Sequence, residues 1–292
     1  MGLDFHGAAM LALARRQKMP MRTVLTLGRQ DSLLTIPWLQ YLQRVYDAPV
    51  GTLDHKDEPY AEAYFKSLGA ESVDSLDFSD YQGCTICRDL NAPPPAEPPA
   101  QTYDLVYDGG TLEHVFHFPN AMANCMSLVK VGGHFMASLP ADQWLGHGFY
   151  QFSPELFFRV LSPENGFRIV RIFLAENLLG RGRLVQVIDP AETGVRCLLQ
   201  TRKPLVLLVW AQKMAEVKPF QTWPKQSDYQ TRWAAGAAAV PSSLTREAQK
   251  SFVKRLRTLA GRLVPETVKH YLAWRKHLLA AQRGMIELEH MQ

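Results

Sequence analysis

From Arg22 to about Ala215 short apolar runs alternate with longer segments whose apolar residues recur every three or four positions. Apolar runs of this length read as strands buried on both faces, and the mixed segments between them as crossover helices. Seven strands are expected: TVLTLG (23–28), SVDSLDF (72–78), CTICRDL (84–90), YDLVYDG (103–109), GGHFMASLP (132–140), FRIVRIFLA (167–175) and PLVLLVWAQ (204–212). The pattern predicts an α/β fold: a mostly parallel sheet flanked by helices, with a C-terminal helical appendage.

The connections differ in kind. Two helical patterns, SLLTIPWLQYLQRVYD and PYAEAYFKSLGA, separate the first two strands, with Asp31 as a helix cap. NAPPPAEPPAQT, rich in proline, excludes a regular helix. TLEHVFHFPNAMANCMSLVKVGG reads as a turn, a helix from about Pro119 and a stop at Gly132. Residues 141–166 concentrate aromatics, glycine and histidine directly after a strand end, and Ser153 with Pro154 starts a helix there. Residues 176–203 read as an inserted excursion. The organisation is a helical segment (1–20), an α/β domain (21–215), an irregular lid or linker (216–244) and a basic helical extension (245–292).

Composition adds limits. At 47% hydrophobic and 21% charged, the chain is ordinary for a soluble globular protein. It has no apolar run near the roughly 20 residues of a membrane span, and the basic residues follow the first apolar patch, the reverse of a secretory signal. The cytoplasm is the expected location. The net charge of +4 is uneven: residues 245–292 hold 10 Lys and Arg against 4 Asp and Glu, leaving 22 and 24 for the rest. That tail reads as two helices split at Pro265, with an apolar stripe of Phe252, Leu256, Leu259 and Leu263 beside Lys254, Arg255, Arg257 and Arg262. Its stripe is expected to pack on the domain, on a second copy in a homo-oligomer or on a partner protein; an anionic membrane or nucleic acid is the competing reading. Cys84 and Cys87 form a lone C-x-x-C, and a strand would point them to opposite faces, so both are expected in the core and no metal is expected.

The strand order resembles that of the class I S-adenosylmethionine-dependent methyltransferases at four places. YDLVYDGGTLEHV (103–115) is similar to their fourth strand and the turn after it; Asp77 in SVDSLDFS ends the second strand; Asp89 in RDLNAP follows the third; LVKVGGHFMASLP matches their fifth strand and its approach. The resemblance covers about residues 20–212 and implies a Rossmann-like sheet, S-adenosyl-L-methionine as cofactor, and O- or N-methylation of a small-molecule or glycan-like acceptor. By the same resemblance the cofactor is met by Gly28, Arg29, Gln30, Asp77, Asp89, Leu90, Asp108 and Gly109. Asp77 would accept both ribose hydroxyls and Asp89 would face adenine.

Acceptor chemistry is expected at Glu113, His114 and His147, with Trp144, Tyr150 and Tyr229 as substrate contacts and Asp228, Tyr229 and Trp233 as a lid. A metal at His114 and His117 lacks a defined third ligand in the sequence. Aromatic and histidine content at 144–158, without a basic groove, argues against nucleic acid as substrate. One departure matters. The family's first turn is glycine-rich after an acidic strand residue, whereas here the strand has Thr26 and the turn reads Gly28, Arg29, Gln30, Asp31. Three readings stay open: an active methyltransferase with a rebuilt turn, a catalytically silent methyltransferase-like subunit acting as partner or scaffold, and a nicotinamide or nucleotide-sugar enzyme, against which the missing G-x-G-x-x-G speaks.

Overall fold

The computed structural model describes residues 2–49, 59–97, 99, 101–176, 182–194, 196–199, 201–227, 229 and 233, and the backbone of 285–288. The chain divides into two units, residues 1–187, 201–224 and 287–292, and residues 188–200 and 225–286.

In chain order the first unit contains β1 (Gly2–Leu3), α1 (Phe5–Arg16), β2 (Thr23–Leu27), β3 (Asp31–Ser32), α2 (Ile36–Tyr46), α3 (Glu62–Ser67), β4 (Ser72–Asp77), β5 (Ile86–Cys87), β6 (Tyr103–Asp108), α4 (Phe118–Leu128), β7 (Val129–Asp142), α5 (Pro154–Val160), β8 (Phe167–Glu176) and β9 (Leu184–Val187). The short α6 (Pro190–Thr193) lies in the second unit, and β10 (Leu205–Lys213) returns to the first. The main sheet runs β9-β8-β10-β7-β6-β2-β4-β5, with β11 (Met285–Leu288) at the β9 edge. From β5 to β7 neighbours are parallel; β10 runs antiparallel to both β7 and β8, and β9 antiparallel to β8. The fold is thus α/β and Rossmann-like, with the parallel half carrying the site.

Three differences from the expected elements have definite physical causes. Among the described residues the main sheet has eight strands before the C-terminal tail instead of seven, because Leu184–Val187, inside the supposed excursion, pairs with β8. The N-terminal segment adds β1, which pairs with β3, so Asp31 sits opposite Gly2 in a strand and caps no helix; α2 starts five residues later, with Pro37 in its first turn. Gly132 lies inside β7, at φ +84°, and ends no helix. Leu128 ends α4, and the buried Lys213 Nζ donates to the carbonyls of Met126 and Val129 at 3.1 and 3.0 Å, doing the work of a glycine cap.

The basic helices expected before Gly284, and Asp228 of the expected lid, lie outside the described residues; Met285–Leu288, in the segment expected to be helical, is a strand. No described helix is long and apolar enough to cross a membrane.

The core explains the order. Leu105 and Tyr107 of β6, Met136 of β7 and Leu208 and Trp210 of β10 are buried with Ala8–Ala14 of α1, Leu39, Leu42 and Tyr46 of α2 and Tyr64 and Phe65 of α3. Helix α1 is buried almost all round, which its alanine-rich, uncharged middle permits; Tyr64 Oη donates to Ala8 O at 2.8 Å and locks α3 to it. Helix α4 packs on β6 and β7.

Candidate active site

Strand β2 has β4 and β5 on one side and β6 and β7 on the other, so the chain reverses direction across the sheet between β2 and β6. In such sheets ligands bind outside the carboxyl ends of the strands at this switch point. Three residues line up there. Leu27 pairs with Leu76 and with Asp108, so the next residues, Gly28, Asp77 and Gly109, stand in a row. Gly28 N donates to Leu76 O at 2.7 Å, and Gly28 has φ +69°. A Cβ on Gly28 would stand 3.0 Å from Thr111 Oγ1 and 3.7 Å from Asp77 Oδ2. A left-handed turn without a side chain, faced by a carboxylate, lets a polar ligand approach the backbone closely. Asp77 Oδ1 accepts from Phe78 N at 2.6 Å. Asp89, after β5, accepts from Asn91 N and Nδ2 and orders the loop that carries buried Leu90; Asn91 in turn accepts from His117 N.

Arg29 is turned away from this row, Gln30 is packed against it, and Asp31 lies in β3. Arg29 Nε pairs with Glu62 at 2.7 Å, Nη1 donates to Gln82 O at 2.7 Å, and the guanidinium lies 3.9 Å from the centre of the Tyr60 ring. Gln30 is buried: its amide donates to Leu27 O, and its Oε1 packs so closely on Gly109 that no Cβ would fit between them. Arg29 and Gln30 thus brace the turn through these contacts.

The turn after β6 begins at Asp108, which is fully buried and accepts from the backbone amides of Gly110, Thr111 and Leu112 at 3.0, 2.7 and 3.2 Å. Burial raises its carboxyl above the ordinary range, and these three amides pull it back. With both oxygens engaged, Asp108 shapes the turn and offers little to a ligand. Thr111 joins the two halves of the site: its hydroxyl donates to Leu27 O at 2.7 Å and its carbonyl accepts from His114 N at 2.9 Å.

Glu113 and His114 lie in the 3-10 turn that follows (Leu112–His114), and His147 in the loop after β7. The structure brings them together. Glu113 Oε1 is 3.5 Å from His147 Nε2 and 3.8 Å from His114 Nε2, and the two imidazole centroids are 5.2 Å apart. Glu113 is wholly buried, yet neither carboxylate oxygen accepts a hydrogen bond, and His147 Nε2 makes none either. Burial, then the Asp108 charge, raises the Glu113 carboxyl; burial, then His147, lowers His114. His117 takes no part: its Nδ1 accepts from Asn120 N and caps α4.

Trp144 packs its ring against His147 at 5.4 Å and donates from Nε1 to Leu205 O. Tyr150 donates to Phe116 O at 2.6 Å and stacks on Phe152. Tyr229 belongs to the second unit, where it stacks on Trp233. Cys84 and Cys87 are not separated core residues: their sulfurs lie 3.3 Å apart, Cys87 is exposed, and Cys84 is half-buried. The strand there is only Ile86–Cys87, and Cys84 precedes it beside a turn closed by Gly83 N on Asp80 O, so strand alternation does not govern the pair.

No family profile matches the chain, and no curated protein matches it. Among solved structures it is similar to TehB from Haemophilus influenzae (15% identity over 69% of this chain and 61% of that one, TM-score 0.37), so it spans less than two thirds of that protein. It is also similar to the 1,6-didemethyltoxoflavin-N1-methyltransferase of Burkholderia thailandensis (14%, 72% and 78%, TM-score 0.39) and to an S-adenosylmethionine-dependent methyltransferase from Mesorhizobium loti (17%, 71% and 99%, TM-score 0.38).

Proposed function

We propose that this chain is an S-adenosylmethionine-dependent methyltransferase acting on an oxygen or nitrogen of a small-molecule or glycan-like acceptor. The observation that carries the reading is the row of Gly28, Asp77 and Gly109 at the switch point, a side-chain-free turn faced by a carboxylate at the end of the neighbouring strand. When bound there, S-adenosylmethionine supplies a sulfonium-activated methyl group. Asp77 would hold the paired ribose hydroxyls, the Asp89–Leu90 loop would flank the adenine, and Gly28 would admit a backbone contact. Arg29 and Gln30 support the turn from behind.

Glu113, His114 and His147 then form the acceptor side, one short turn away through Thr111. Methyl transfer is driven mainly by in-line positioning, so these residues need only orient the acceptor. Trp144 and Tyr150 fix the loop that carries His147.

Titration calorimetry with S-adenosylhomocysteine tests the reading. Binding is expected for the intact chain, weakened about 10- to 100-fold by Asp77→Ala, the range for lost hydrogen bonds to a charged group. No heat from the intact protein at millimolar ligand would overturn it.

A further inference from the structure

We propose that Glu113, His114 and His147 form a binding site for one divalent transition-metal ion at the acceptor face. The donor set is one carboxylate and two imidazole nitrogens, whose ligand atoms all lie within 4.8 Å of one another. A tetrahedral ion with bonds of 2.0–2.1 Å keeps its ligand atoms about 3.4 Å apart. The two Glu113–histidine distances, 3.5 and 3.8 Å, are near that value without any ion. Only the imidazoles need to close on each other, and both are partly exposed, with side chains 48% and 31% accessible for His114 and His147.

The chain is built around the carboxylate. Phe149 N and Tyr150 N donate to Glu113 O at 2.7 and 3.2 Å, which docks the His147 loop onto the turn after β6. Gly148, at φ +77°, passes so close that a Cβ would stand 2.8 Å from Glu113 O and 2.9 Å from its Cγ. The result is a fully buried carboxyl group whose oxygens make no hydrogen bond, beside an imidazole nitrogen that is also buried without one. An ionised carboxylate there is costly unless it takes a proton or a cation completes it. Mixed imidazole and carboxylate ligands suit Zn²⁺, Mn²⁺, Co²⁺ or Ni²⁺ better than Ca²⁺ or Mg²⁺. Three protein ligands leave at least one position open, as in catalytic metal sites. That position would take an oxygen or nitrogen of the acceptor, a role that rests on the methyltransferase reading; the site itself does not.

The test uses the full-length chain in a Cys84→Ser, Cys87→Ser background, which removes the adjacent thiols of the C-x-x-C. Metal content after dialysis against Zn²⁺ or Mn²⁺, and the visible absorption of the Co²⁺-loaded protein, are measured for this chain and for Glu113→Gln and His147→Gln added to it, with circular dichroism as the check on folding. About one equivalent of metal and a cobalt band are expected, with at least a tenfold loss of affinity in folded Glu113→Gln and in His147→Gln. No stoichiometric metal, or metal that both substitutions leave in place, overturns the site. If Glu113→Gln fails to fold, the partly exposed His114→Ala and His147→Gln decide on the same criterion. Calorimetry with S-adenosylhomocysteine separates the two claims: metal without cofactor binding upholds the site and sinks the methyltransferase reading, and cofactor binding without metal does the reverse.

Discussion

Gly148 lies against Glu113 so tightly that the backbone of one and the carbonyl of the other leave no room for a methyl group: an added Cβ would approach Glu113 O to 2.8 Å. The contact joins the loop after β7 to the turn after β6, and it is the step that places His147 beside Glu113.

Gly148→Ala therefore combines a backbone clash with a side chain at φ +77°. The expected cost is about 1–3 kcal/mol of local or global stability. Activity on any acceptor should fall much further than S-adenosylhomocysteine affinity, because Gly28 and Asp77 stand at the ends of β2 and β4, which the Gly148 contact does not touch. Denaturation and calorimetry on the same variant check both parts; equal losses in each would contradict the separation.

Asp108→Asn keeps the size of a buried side chain that accepts three backbone amides. Its amide nitrogen cannot accept, so at least one of those N–H groups loses its partner. A loss of about 1–3 kcal/mol in chemical denaturation is expected, and a variant as stable as the parent would show that the turn is held otherwise.

Arg29→Ala separates support of the turn from ligand contact. The side chain pairs with Glu62, donates to Gln82 O and covers Tyr60. Stability should drop by about 1–2 kcal/mol, while S-adenosylhomocysteine affinity stays within about threefold. A drop of tenfold or more in affinity, with stability unchanged, would place Arg29 on the ligand.

His134 is buried and accepts from Trp210 Nε1 at 3.0 Å; burial lowers its pKa from 6.5 to about 4, partly opposed by a hydrogen bond with the Ala211 backbone. Between those pH values the unfolded chain takes up a proton that the folded chain refuses. Its contribution to stability is complete above about pH 6.5 and declines as pH falls toward 4, by on the order of 2–3 kcal/mol. Urea midpoints measured over that range should fall less steeply for His134→Gln than for the parent. Parallel pH profiles would assign the loss to other groups.

The long strands β2, β6, β7, β8 and β10 are legible because each holds an apolar run with polar or glycine-bearing ends. Strand β9 is not, since LVQV is four residues long and surrounded by polar chain, and its pairing with β8 is a tertiary event. The same holds for Asp31: a residue that suits a helix cap became part of a two-residue strand because Gly2, 29 positions earlier, came to lie beside it. Within the site, Asp77 and Gly28 could be picked out as chemistry-bearing residues at strand ends, whereas the fate of Arg29 was decided by Glu62, Gln82 and Tyr60, which no local pattern ties to it.

By itself, the sequence determined the alternation of buried strands and covering helices, and with it the end of the sheet where polar residues collect, because periodicity and burial are local properties. Only the tertiary structure decided which of those polar residues meet. Glu113 and His147 are 34 positions apart and lie in turns after different strands; the pairing of β6 with β7, and the backbone contact at Gly148, bring them to 3.5 Å. Proximity between distant segments follows from strand order and loop docking, which the pattern of side chains along either segment does not encode.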